Sequence, residues 1–277
     1  HISRALMTKG MNWINAEPAP GRTPAALAKS YNYEIYSART GNIYTAAQLQ
    51  HWTDLATGES DVEQIEIWDD GGRFRDSLRP AIEPRGFGSR DEARASLKTA
   101  ADAFRKSLAE ADVFVFTLGL TEGWVDRETG QAFPVCPGVI AGEFDAGRHQ
   151  FVNYSYPETL SDLSCAIAAM REINPDLHIL LTVSPVPLTA TAEDAHVLVS
   201  TTYSKSTLRA VAGDLARADH RIDYFPSYEL IATAPTRGVF YEHNMRSVAW
   251  AGVDLVMQHF FGGLTMTAPA RSELLPI

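Results

Sequence analysis

The stretch Ala111–Trp124, ADVFVFTLGLTEGW, decides how the rest of the chain is read. Val113–Phe116 is a run of β-favouring apolar residues. It breaks into Thr117, Leu118 and Gly119, with Thr121 and Glu122 following. Ligands in open parallel sheets gather at the carboxyl ends of strands, so an apolar strand ending in glycine and small polar residues suits an α/β active-site loop. A core strand ending in an ordinary turn has the same local pattern. The flanking segments have to decide between the two.

On its N-terminal side lies Ser89–Ala111, read as a helix. Ser89 stands three residues before Glu92 in a capping-box arrangement, and Ala, Leu and Phe recur at helical spacing. Beyond it, Pro157–Ile173 is a second helix, with Leu160, Leu163, Ile167 and Met170 on one face. Leu177–Val183 is an apolar strand ending at Ser184-Pro185-Val186-Pro187. A polar loop, Thr189–His196, leads to a third helix over Val197–Ala216. Ile222–Phe225 is a strand that breaks at Pro226. The unit of helix, strand and loop thus recurs three times, which predicts an α/β fold with a mostly parallel, doubly wound sheet.

The remaining segments are less regular. Residues 1–13 read as part of an amphipathic helix. Glu17–Pro24 is a loop, Tyr31–Arg39 is read as extended, and Gly41-Asn42 is a turn. Thr45–Leu55 is a helix capped by Thr45, and Val62–Trp68 alternates as a strand would. Asp76–Gly88 and Gln131–Tyr156 are irregular. A long irregular loop after a core strand is more often functional than accidental. A last helix spans Trp250–Phe261. A single domain over 1–262 is expected, with a poorly ordered tail over 263–277.

Composition narrows the function. The chain has 277 residues, enough for one large α/β domain, and a formal net charge of −10. That charge argues against nucleic acid and anionic membranes as partners. No apolar run reaches the length of a membrane span. Cys136 and Cys165 make no disulfide framework, which favours a cytoplasmic location. The histidines form no metal-ligand pair, and there is no P-loop, no GxGxxG after a strand and no GxSxG elbow. No cofactor is expected.

The three strand ends share one edge of a parallel sheet. That edge brings together Thr117, Gly119, Thr121, Glu122, Ser184, Ser227, Tyr228 and Glu229. Lys205, inside a helix, is read as a surface charge, and His178, inside an apolar strand, as a core histidine. His196 and His243 lie in loops, better placed for acid–base work.

Five segments carry a resemblance: TLGLTEGW, TVSPVPL, YSKSTLRA, YFPSYELI and FYEHNMRSVAWAGVDLVMQHFF. In this order and spacing the chain resembles the GSCFA family. The resemblance covers nearly the whole chain. It implies an SGNH-hydrolase-like, flavodoxin-like three-layer sandwich, and a nucleophilic Ser within a Gly-Ser-Cys-Phe-Ala motif. That motif is absent here. His1-Ile2-Ser3-Arg4 is similar to the helix that directly follows it, so the nucleophile is expected upstream of residue 1. A signal peptide upstream stays open for the same reason. Ser3, within the helix pattern, is a poor substitute.

By the same resemblance, Gly41 with Asn42 corresponds to a block whose Gly supplies an oxyanion N–H. Gly119, Thr121 and Glu122 resemble a Gly-x-Asn-Asp block, with Thr121 where an Asn is expected. Asn244 and Ser247 stand where the family pattern has Asp-x-x-His. A Ser is no proton acceptor at neutral pH, and an Asn does not stabilise an imidazolium as a carboxylate does.

Three readings follow. In one the protein is an ester or acyl hydrolase, its substrate a small-molecule or saccharide ester. His243 or His196 is then the base and Glu122 or Glu229 the orienting group. In the second it is a non-catalytic binder of an acylated or saccharide ligand, with Trp124, Tyr154, Tyr228 and Trp250 lining a pocket. In the third it is an acyl or sugar transferase using the same Ser. Oligomeric state is not legible.

Overall fold

A computed structural model describes residues 2–264. The chain begins with α1 (Ile2–Thr8) and α2 (Ala25–Ser30). α1 is shorter than the expected 1–13, because Gly10 turns the backbone at φ +67°. Tyr31–Arg39 is not extended. Asn32 and Glu34 adopt φ +61° and +60°, and the segment winds around Arg39. A buried guanidinium needs partners, and this one finds the Tyr31 carbonyl, Glu83 and the Tyr33 ring.

α3 (Ala46–Thr57) starts at Thr45, whose hydroxyl accepts the Gln48 N–H while Gln48 reaches back to the Thr45 N–H. Leu49, Trp52 and Ala56 form its buried stripe. A hairpin follows, β1 (Ile67–Asp70) and β2 (Arg73–Asp76). Val62–Gln64, expected in the strand, is a 3₁₀ turn capped by Asp61. α4 (Arg90–Glu110) is the expected long helix. Ser89 caps it by accepting the Glu92 N–H, but the Glu92 carboxylate bonds the Gly88 N–H rather than that of Ser89.

The opening strand is β3 (Val113–Leu118). The chain then departs from the expected loop. β4 (Glu122–Asp126), β5 (Ala132–Phe133) and β6 (His149–Asn153) make a small antiparallel sheet in the order β5-β4-β6. Its core is Trp68, Phe133 and Ala141, with Trp124 packed against them. α5 (Tyr156–Ile173) leads to β7 (His178–Val183), and α6 (Val197–Ala218) to β8 (Ile222–Phe225). α7 (Ser227–Ala232) and α8 (Trp250–Leu264) close the described chain. Residues 265–277 of the expected tail lie outside the described residues.

The main sheet is parallel, in the order β3-β7-β8. β3 and β7 pair from Val113↔His178 to Leu118↔Val183, and β7 pairs with β8 through Thr182↔Phe225. Phe116, Leu118, Ile179, Leu181 and Val183 pack with Leu97, Phe104, Leu163, Met170, Leu208 and Val211 of the helices. The Asn174 amide seals this layer by donating to the carbonyls of Leu108 and Ala111, which α4 leaves without helical partners. His178 is exposed rather than core, because it opens its strand. The parallel register brings Leu118, Val183 and Phe225 to one edge, as the alternation of helices and strands predicts. Among the described residues no helix is long and apolar enough to cross a membrane.

Candidate functional site

The loop after β3 is built by convergence. The carbonyl of Tyr44, just before α3, accepts the N–H groups of both Gly119 (3.1 Å) and Leu120 (3.2 Å). The N–H of Tyr44 is held in turn by Gln48 at 2.7 Å. The Gly41–Thr45 segment is therefore docked on the end of β3. Gly119 makes that approach possible: a Cβ there meets the Tyr44 oxygen at 3.0 Å and its Cα at 3.4 Å. The Gly119 N–H is thus committed to Tyr44 and does not point at a ligand. Gly119→Ala is expected to cost about 1–3 kcal/mol by overpacking two backbones. Urea unfolding measures it, and an unchanged midpoint rules this packing role out.

Thr121 continues the loop into a polar network. Its N–H donates to Ser204 Oγ (3.0 Å) and its hydroxyl to Asn153 Oδ1 (2.6 Å). Asn153 donates to Glu193 (2.8 Å), whose other oxygen accepts from Ser200 (2.9 Å). Thr191 donates to Glu122 (2.7 Å) and accepts the Glu193 N–H (3.0 Å). Burial raises the Glu122 carboxyl above its ordinary range. The Thr191 hydroxyl opposes that shift, while the nearby Glu193 charge adds to it. The Asn153 amide beside Thr121 is committed to Glu193.

Lys205 is a correction. It was expected on the surface, yet it is 2% exposed. Its Nζ donates to the Gly119 carbonyl at 2.5 Å. α6 therefore grips the loop at both ends, through Lys205 at Gly119 and Ser204 at Thr121. Asn153, Thr191, Glu193, Ser200 and Ser204 escaped the sequence reading. One signal was present: Ser200 and Ser204 lie four residues apart, on a helix face that should otherwise be apolar.

Beside Tyr44 a cavity of about 140 Å³ opens, lined among others by Asn32, Tyr36, Gly41, Asn42, Tyr44 and Ile140. The Asn42 amide donates to the Tyr44 hydroxyl at 2.9 Å, and its oxygen accepts from Tyr36. Gly41 adopts φ +68°, and a Cβ there lies 3.3 Å from Arg79 Cβ. Its N–H has no hydrogen-bond partner among the described residues. Ser3, at the start of α1, donates to the Ile35 carbonyl at 3.2 Å, which sets that helix start next to the Tyr36 wall.

The other expected residues are more scattered. His196 caps α6: its Nδ1 accepts the Leu198 N–H at 3.2 Å. That assignment puts the ring proton of a neutral His196 on Nε2. His243 is exposed, on the loop that Tyr241 anchors to the Pro185 carbonyl at 2.6 Å. Asn244 donates to Ser247 (3.0 Å) and accepts the N–H groups of Arg246 and Ser247, so its side chain closes a turn. Ser184 likewise holds the Val186 N–H. Glu229 is bound by Arg209 (2.5 Å) and Tyr224 (2.7 Å). Tyr228 is half-buried against the main core, Trp124 stacks edge-on with Phe144 and Phe151, and Trp250 is exposed. These aromatics do not share the cavity.

Glu66, Asp126 and His149 offer ligand atoms within 4.8 Å of one another. Arg148 already holds both carboxylates, and His149 Nδ1 accepts the Asp145 N–H. The cluster thus carries its own cation, and the ring nitrogen left over bears a proton.

A family model described as the GSCFA family matches residues 1–260. No curated protein matches the chain.

Proposed function

Because the chain belongs to the GSCFA family, we propose that it is an SGNH-like serine hydrolase acting on a small-molecule or saccharide ester. Its nucleophile is the Ser of the motif upstream of residue 1. One observation carries the reading: Gly41–Tyr44 docks on the end of β3 beside an open cavity walled by Tyr36, and Ser3 of α1 bonds the Ile35 carbonyl next to that wall. In this reading the Ser upstream of α1 attacks an ester bound in that cavity. Gly41, with its unoccupied N–H, is the oxyanion donor in place of Gly119. Tyr36, Asn42 and Tyr44 line the substrate side.

His243 is the base. His196 is less suited, because its Nδ1 lone pair is spent on the α6 cap and its Nε2 then carries the proton. A fluorophosphonate probe tests the scheme. A chain extended upstream through the motif is expected to label at that Ser, and residues 1–277 alone are not. A folded extended chain that stays unlabelled sinks the hydrolase reading.

Absence of labelling supports the second reading, a non-catalytic binder. The observation that favours it is Asn244 with Ser247, which bond each other and supply no carboxylate–histidine pair. An acyltransferase using the same Ser would label as the hydrolase does and be told apart by its acceptor.

A further inference from the structure

Lys205 is a buried cation that the scheme above leaves unused, and unlike the buried arginines Arg39 and Arg79 it has no carboxylate partner among the described residues. Burying an ammonium is costly unless an opposite charge compensates it, and lysines are almost never fully buried unless paired. Among the described residues no carboxylate lies within ion-pair distance of Lys205. Its hydrogen-bond partner among the described residues is a neutral carbonyl, that of Gly119. The charged groups of the surrounding network, Glu122 and Glu193, bond Thr191, Asn153 and Ser200 instead. Tyr44 hydrogen-bonds the same loop through its backbone carbonyl, which carries no charge. A lysine so placed destabilises the fold, and nothing in the packing needs its charge. Leu or Met fills such a volume without the desolvation penalty.

We infer that Lys205 is a positioning residue of this site: its buried ammonium holds the Gly119 carbonyl and fixes one positive charge at the end of β3, so that negative charge formed on the ligand side is stabilised. The inference rests on the acyl-transfer reading. The charge that develops is the oxyanion of the tetrahedral intermediate, and inside a protein an uncompensated cation acts over a longer range than in water.

Burial alone pulls the ammonium down to about 8 from its ordinary 10.5. The sign follows. Below pH 8 Lys205 is charged in both folded and unfolded chains and the penalty is complete. Between 8 and 10.5 the folded chain sheds the proton first, and the penalty fades. Wild type should therefore gain stability relative to Lys205→Met as pH rises through that window.

The test uses the full chain with its upstream motif, Lys205→Met to remove both charge and hydrogen bond, and Lys205→Gln to keep a donor without charge. The unfolding midpoint of Lys205→Met at pH 7 is expected to equal or exceed that of wild type, with the gap shifting in favour of wild type from pH 8 to 10. For a short acyl ester, kcat is expected to fall roughly 10- to 100-fold in both variants, with KM within about twofold, since a group acting on the developing charge leaves ground-state binding alone. Wild-type turnover with either folded variant keeping its kcat overturns the role of Lys205 and leaves the hydrolase standing. A midpoint gap that is flat with pH overturns it as well. A wild-type chain without turnover removes the hydrolase and the inference together. If Lys205→Met does not fold, Lys205→Gln carries both readouts.

Discussion

Asp76→Ala is expected to lower the unfolding free energy by about 3–5 kcal/mol. The Asp76 and Arg79 side chains are both fully buried and paired at 3.0 Å. Asp76 also accepts the Arg79 N–H at 2.9 Å. Arg79 spends its other donors on the Arg39 carbonyl (2.9 Å) and Ser96 Oγ (3.0 Å). Deleting the carboxylate leaves a guanidinium in the interior with no counter-charge. Changing both partners to apolar residues, Asp76→Leu with Arg79→Met, should recover part of the loss. The Arg39 carbonyl and Ser96 then stay unsatisfied, at about 1–3 kcal/mol each. Urea unfolding of the two single variants and the double variant measures the cycle. A loss below about 1 kcal/mol for Asp76→Ala would show that the pair does not hold this region. The consequence reaches the site, because Arg79 backs Gly41 and lines the cavity.

The parallel sheet was legible because its determinants are local. Each long helix carries its own cap and apolar stripe, as Ser89 and Leu97 show in α4, and each core strand is a short apolar run. The segments misread are those whose shape comes from distant partners. Tyr31–Arg39 looks extended by its aromatics, but Glu83, far along the chain, sets the course of Arg39. Gln131–Tyr156 looks like a loop because β5 is two residues long. It is ordered by pairing with β4, and by Arg148 bridging Asp126 and Glu66.

The site divides in the same way. The strand ends were found, since a strand breaking at Gly119 or Pro226 declares itself in sequence. The polar groups that hold those ends were not. Lys205 reaches Gly119 across 86 residues, and Asn153 reaches Thr121 across 32. Composition assigns a lysine in a helix to water, and only the packing of α6 against β7 and β8 reverses that. Gly119 does follow the end of β3, and there it admits the Tyr44 backbone.

His243→Ala, in the full chain, is expected to reduce kcat/KM for a short acyl ester about 10²- to 10⁴-fold, the ordinary worth of a positioned general base. That equals about 3–5 kcal/mol of transition-state stabilisation. The ring of His243 has no hydrogen-bond partner among the described residues, and its loop is tethered by Tyr241 to the Pro185 carbonyl at the carboxyl edge of the sheet. A lone pair is therefore available on the same side as the Gly119 loop. His196→Ala provides the contrast. Loss of its cap on Leu198 should cost about 1 kcal/mol of stability while turnover changes by no more than about threefold. Steady-state rates, taken beside thermal unfolding of both variants, separate the two effects. Full activity in His243→Ala with collapse in His196→Ala would transfer the base to the α6 cap, and full activity in both would remove histidine from the reaction.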